Sequence, residues 1–114
     1  MTHELIVKSK NKDILNEIFG AVKKVAPTSK GSIAYAVNLY RLAKCLFNED
    51  ETRGFGKYDE FAEVTLSEDR VTFLSANFAI GVAYMENFIG RLLEKYESDE
   101  LFHVYLNGEM WYLE

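Results

Sequence analysis

Two residues late in the chain, Asn107-Gly108, restrict the fold more than any others. A type I′ turn requires positive φ at both central residues, and asparagine followed by glycine adopts that conformation at the least cost. The dipeptide is flanked by Leu101 to Leu106 and by Glu109 to Glu114, both rich in apolar and aromatic residues. A two-residue β-hairpin is therefore expected. In it Leu106 lies opposite Glu109, Tyr105 opposite Met110, Val104 opposite Trp111, His103 opposite Tyr112 and Phe102 opposite Leu113.

Strand alternation then divides the hairpin into two faces. Phe102, Val104, Trp111 and Leu113 make one apolar face, and His103, Tyr105, Met110 and Tyr112 make a second, aromatic and amphipathic one. A sheet carrying helices on one side has use for only one apolar face. Tyrosine, methionine and tryptophan suit interfaces because they bury much area while keeping a polar tip or an adaptable shape. The second face is thus expected to meet a partner protein or a second copy of the chain. The competing expectation is internal cover, by a helix or by the segment from Asn48 to Tyr58.

The rest of the chain supplies the layers around that hairpin. Leu5-Ile6-Val7 reads as a short strand, and the polar stretch Ser9 to Asn11 as a helix cap. From Lys12, the spacing of Ile14, Leu15, Ile18, Val22 and Val25 predicts a helix with Lys12, Asp13, Asn16, Glu17, Lys23 and Lys24 in solvent, ended by Pro27. A second helix is expected from a Ser32 cap to about Phe47, with Ile33, Ala36, Val37, Tyr40, Ala43 and Phe47 on its main apolar face and Leu39, Leu42 and Leu46 partly outside it. Phe61 to Leu66 and Val71 to Ser75 alternate around a polar Glu68-Asp69 turn, so Leu66 should face Val71, Thr65 face Thr72 and Val64 face Phe73. Between Asn77 and Tyr96, the stripe Phe78, Val82, Met85, Ile89, Leu92 and Tyr96 predicts a third helix lying on the sheet. The expected fold is one α+β domain over residues 1–114, of order β-α-α-β-β-α-β-β. Its antiparallel sheet consists of two hairpins and a short N-terminal strand, packed against three helices.

Composition narrows the function classes. Hydrophobic residues at 48% and charged residues at 27% fit a packed globular chain. The longest apolar runs, such as Phe78 to Met85, fall far short of the roughly 18–20 residues that cross a bilayer, so no membrane span is expected. The first residues, Met1-Thr2-His3-Glu4-Leu5, do not read as a secretory signal, and Cys45 is the only cysteine, so a reducing cytoplasmic setting is expected. A formal charge of −5 disfavours broad electrostatic binding to nucleic acid and suits a basic partner.

Residues that carry chemistry are sparse. His3 and His103 are the only histidines and are not clustered with cysteine at metal-ligand spacing, so neither a metal nor a cofactor is expected. Cys45 is expected as an inert buried thiol, with a nucleophile served by His103 as the remote alternative. Glu49-Asp50-Glu51, with Asp59 and Glu60, form an acidic stretch around Gly54 and Gly56 that reads as a solvated loop and a second candidate contact for a partner. Arg53-Gly54-Phe55-Gly56 resembles the opening of the RNP1 motif of the RNA recognition motif family, which implies aromatic strand residues stacking on bases. The resemblance covers four residues. Lys57 and Tyr58 depart from the motif, Leu5-Ile6-Val7 lacks the aromatic of that family's first strand, and the element order is not βαββαβ.

Three functional expectations result. The first is a non-enzymatic protein-binding module, of the size and charge of small acidic phage-type inhibitors or adaptors, acting through His103, Tyr105, Met110 and Tyr112 together with Glu49, Asp50 and Glu51. The second is a small-ligand binder or small enzyme with a pocket between sheet and helix lined by His103, Tyr112 and Arg41 or Arg91. The third is an RNA or single-stranded DNA binder using Arg53 to Tyr58.

Overall fold

The first strand already separates inside from outside. In β1 (Thr2–Lys8), His3, Leu5 and Val7 are buried, whereas Glu4 is exposed and Ile6 and Lys8 are half-buried. The computed structural model describes residues 2–26, 29–30, 34–47, 59–76 and 82–112.

After β1, the Asn11 side chain accepts a hydrogen bond from the Asp13 N–H (3.0 Å) and opens α1 (Lys12–Val25). Leu15, Ile18, Phe19, Ala21 and Val22 turn inward, and all six polar positions expected in solvent are exposed. Two short strands follow, β2 (Ser29–Lys30) and β3 (Ala34–Asn38), then α2 (Leu39–Leu46). The hairpin of β4 (Glu60–Leu66) and β5 (Arg70–Ala76) comes next, then α3 (Val82–Lys95), and the chain closes with β6 (His103–Leu106) and β7 (Glu109–Trp111).

All strands join one antiparallel sheet in the order β2-β3-β4-β5-β1-β6-β7. The N-terminal strand therefore lies between the two hairpins and joins them. The register of β4 with β5 is the expected one, with Leu66, Thr65 and Val64 opposite Val71, Thr72 and Phe73. The β6–β7 register matches at Val104–Trp111, Tyr105–Met110 and Leu106–Glu109, and Asn107 (φ 51°) and Gly108 (φ 87°) adopt the positive φ of the predicted turn.

The three helices share one side of the sheet and one core. Phe88 of α3 packs its ring against Phe73 and Phe61 of the sheet and Phe47 beyond α2, and Phe19 of α1 meets Tyr35 of β3 edge-on at 5.5 Å. Met85, Phe88, Ile89 and Leu92 of α3 have no exposed surface. On the predicted α3 stripe, Phe78 lies outside the described residues.

The structure departs from expectation in two places. The second helix starts at Leu39, because Ala34–Asn38 is strand β3. Asn38 ends that strand and caps the helix, its side chain accepting the Arg41 N–H at 2.9 Å. The stripe consequently runs through Leu39, Leu42, Ala43 and Leu46, all buried, and Tyr40 is only half-buried. The proposed Ser32 cap, with Ile33, lies outside the described residues, as does Pro27. The second departure is in β4, where Phe61 and Val64 are both buried though three residues apart. Tyr35 pairs with Val64 while Val37 pairs with Phe61, so a β-bulge adds one residue to β4 and turns Phe61 inward.

Candidate interaction face

The other side of the sheet is built from the residues that alternation turns away from the helices. Cross-strand register arranges them in three lateral rows. Arg70, Lys8 and His103 are partners across β5, β1 and β6. Two residues along, Thr65, Thr72, Ile6, Tyr105 and Met110 are partners across five strands, β4 to β7, and the register continues the row through Ala34 of β3 to Lys30 of the edge strand β2. Two residues further, Glu63, Leu74 and Glu4 are partners across β4, β5 and β1. Neighbouring rows are about 7 Å apart.

The first row is basic, the second apolar and aromatic, and the third acidic around Leu74. Within this surface the Lys8 ammonium sits 5.9 Å from the centre of the Tyr105 ring, the diagonal contact expected of residues on a common face. Asp69, in the β4–β5 turn, accepts from Arg70 Nε at 3.0 Å and lies 3.9 Å from Lys8 Nζ. The Arg70 hydrogen bond, with the charges of Arg70 and Lys8 behind it, holds the Asp69 carboxyl below the usual carboxylate range. The same bond raises the Arg70 guanidinium above its ordinary value.

Of the residues expected at a partner surface, His103, Tyr105 and Met110 lie on this open face, half-buried by their neighbours, and Tyr112, one residue past β7, is 69% exposed. Glu49, Asp50 and Glu51 lie outside the described residues, as do Asn48 to Tyr58 with the Arg53 to Tyr58 stretch, and Leu113. Among the described residues, no helix packs on this side: the buried apolar side chains of α1, α2 and α3 join the core on the other. Sequence reasoning missed Glu4, Ile6, Lys8, Arg70, Thr72 and Leu74 as parts of this face. The available signal was the alternation Arg70-Val71-Thr72-Phe73; in β1 the continuous apolar run Leu5-Ile6-Val7 obscures it.

The Asn107 turn ties this hairpin to β1. Its backbone N–H donates to the Glu4 carbonyl and its Oδ1 accepts the Glu4 N–H, both at 2.8 Å, while its Nδ2 lies 3.1 Å from His3 Nδ1.

The pocket expected from His103, Tyr112 and Arg41 or Arg91 is not assembled. His103 is on the open face, and Tyr112 lies one residue past β7, exposed. Arg41 lines a cleft of about 570 Å³ on the helix side with Lys24, Val25, Lys44 and Cys45. Arg91 lines a different depression on α3 with Glu86, Asn87, Gly90 and Glu94. Cys45 is exposed, contrary to expectation, because on α2 it falls to the side of the buried stripe of Leu39, Leu42, Ala43 and Leu46. The sheet separates it from His103, so the two do not form a nucleophile and base. Among the described residues, no group of three or more histidine, cysteine, aspartate or glutamate side chains is placed to hold a metal ion, and no helix is long and apolar enough to cross a membrane.

The arrangement defines a class, an α+β protein whose single antiparallel sheet has one helix-covered face and one face with no helix over it among the described residues. Comparison of the chain with protein-family models, with curated proteins and with solved structures found no match.

Proposed function

We propose that this chain is a non-enzymatic protein-binding module whose working surface is the open sheet face, centred on Ile6, Tyr105 and Met110 and bordered by His103 and Tyr112. The observation that carries the reading is the continuous middle row from Thr65 to Met110, which has no helix over it among the described residues. Aromatic and thioether side chains flanked by charges of both signs match the make-up of protein interfaces, an apolar centre within a polar rim. A net charge of −5 favours a protein partner over a phosphate backbone.

The test is a double substitution, Tyr105→Ser with Tyr112→Ser. Both side chains are off the core, so the melting temperature is expected to change little, while recovery of the bound partner by tagged chain from the native cell falls severalfold. An unchanged complex from a folded double variant would remove this face as the binding surface. Among the described residues the cleft at Arg41 supports the small-ligand reading, and thermal-shift screening with anionic metabolites checks it.

A further inference from the structure

Resting on the binding-module reading above, we infer that the partner of the open face is a second copy of this chain, docked face to face about a two-fold axis running along the middle row. The argument is charge complementarity fixed by strand register. A rotation about an axis parallel to the rows leaves the Thr65–Met110 row over its own copy and exchanges the two outer rows. The Arg70–Lys8–His103 row of one protomer then opposes the Glu63–Leu74–Glu4 row of the other. Lys8 and Glu4 lie on the same strand, one on each side of Ile6, so each Lys8 meets the Glu4 of the second copy, twice per dimer. At the basic end, Lys8 and Arg70 with the one carboxylate of Asp69 leave a single positive charge, against two negative charges at the acidic end. A two-fold axis along the strands would instead place like charges over one another. An isologous interface has to be self-complementary, and within β4 to β7 the axis along the rows meets that condition at Lys8 and Glu4, with Arg70 over Leu74 and one strand away from Glu63.

The geometry is that of ordinary sheet packing. Rotation about the row axis leaves the strands of the two sheets aligned, the arrangement in which sheets stack about 10 Å apart within about 30° of parallel. Five strands at about 4.8 Å spacing and roughly 20 Å of strand length give a projected patch on the order of 500 Å². Its accessible area is larger, towards the lower end of the roughly 800 Å² per partner of stable interfaces. A patch of this size suits a reversible dimer rather than an obligate one. The remainder of the chain, which carries the excess acid, repels a second copy and disfavours other contacts.

Sedimentation velocity of the full chain from low micromolar to submillimolar concentration is the first measurement, and a monomer–dimer equilibrium is expected. Two charge-reversed variants form the second. Lys8→Glu/Arg70→Glu makes both outer rows acidic, and Glu4→Lys/Glu63→Lys makes both basic. Each alone is expected to weaken self-association about tenfold or more, and an equimolar mixture of the two is expected to restore a dimer, since acidic rows then meet basic rows on both sides. Recovery on mixing also shows that both variants are folded. A wild-type chain that remains monomeric throughout would overturn the inference, as would a dimer indifferent to both reversals. If the chain is monomeric but the Tyr105→Ser/Tyr112→Ser pair still abolishes capture of another protein, the second-copy inference falls and the binding face stands. If neither self-association nor capture depends on the face, both fall.

Discussion

The two faces of this sheet are made from the same strands, yet one is closed and the other open. On the helix side, Leu5, Val7, Val64, Val71, Phe73 and Val104 have no exposed surface. One residue away along each strand, Ile6, Thr65, Thr72, Leu74 and Tyr105 remain half-exposed, with charges at both ends of the patch. The difference lies not in apolar content but in what is stacked above. Phe73, Phe61 and Phe88 form an aromatic triangle with ring centres 5.0 to 6.1 Å apart, which locks α3 to the sheet. The Ile6–Tyr105–Met110 row has comparable side chains and, among the described residues, no helix stacked on it. Apolar area on a strand thus becomes core only where a helix with a matching stripe is delivered to it.

The sharpest way to break the comparison is to truncate neighbours on opposite faces. Phe73→Ala removes a fully buried ring and is expected to destabilise the fold by about 3–5 kcal/mol. Leu74→Ala, the next residue but on the open face, is expected to cost under about 1 kcal/mol. Urea denaturation of the two variants provides the measurement. Similar losses would mean that the open face is as enclosed as the other.

Much of this division was legible in the sequence, and the reasons are local. Asn107-Gly108 fixes a turn by its backbone requirement alone, and the turn fixes which residues of β6 and β7 share a face. The α1 stripe is legible because six charged or polar residues interrupt it at helical spacing. The missing part lies in 34–38 and around Phe61. Ala34 to Asn38 has small and β-branched residues that satisfy either period, and only pairing with β4 decides for strand. A bulge is a two-strand property, so the inward turn of Phe61 cannot be read from β4 alone. For the candidate face, the hairpin residues were legible and the central ones were not. Whether Ile6 faces in or out depends on where β1 is inserted, and its place between β5 and β6 is a long-range choice.

The seam between the two halves of the sheet offers the next test. Asn107 both holds the left-handed turn and reaches back to Glu4 and His3. Asn107→Ala loses both contributions and is expected to cost roughly 2 kcal/mol. Asn107→Gly keeps the positive φ and loses only the side-chain hydrogen bonds, about 1 kcal/mol. Chemical denaturation ranks them. Equal losses would assign the whole effect to the contacts with β1 and none to the turn.

The smallest expected effect belongs to the charged end of the open face. Asp69 is held below the usual carboxylate range by Arg70, so its folded value lies below its unfolded one. Its contribution to stability is then present above about pH 4 and is lost as pH falls through the folded value. The difference in melting temperature between wild type and Asp69→Asn should be largest near neutrality and shrink on acidification. Because the carboxylate is half-exposed, that difference should also shrink with added salt, unlike the Phe73 effect. A difference constant in both pH and salt would mean that Asp69 acts through the geometry of the β4–β5 turn, where its carbonyl accepts the Ser9 N–H at 3.1 Å, and not through its charge. The basic end would then be held together by backbone bonds, leaving Lys8 and Arg70 free to answer to charges brought by a partner.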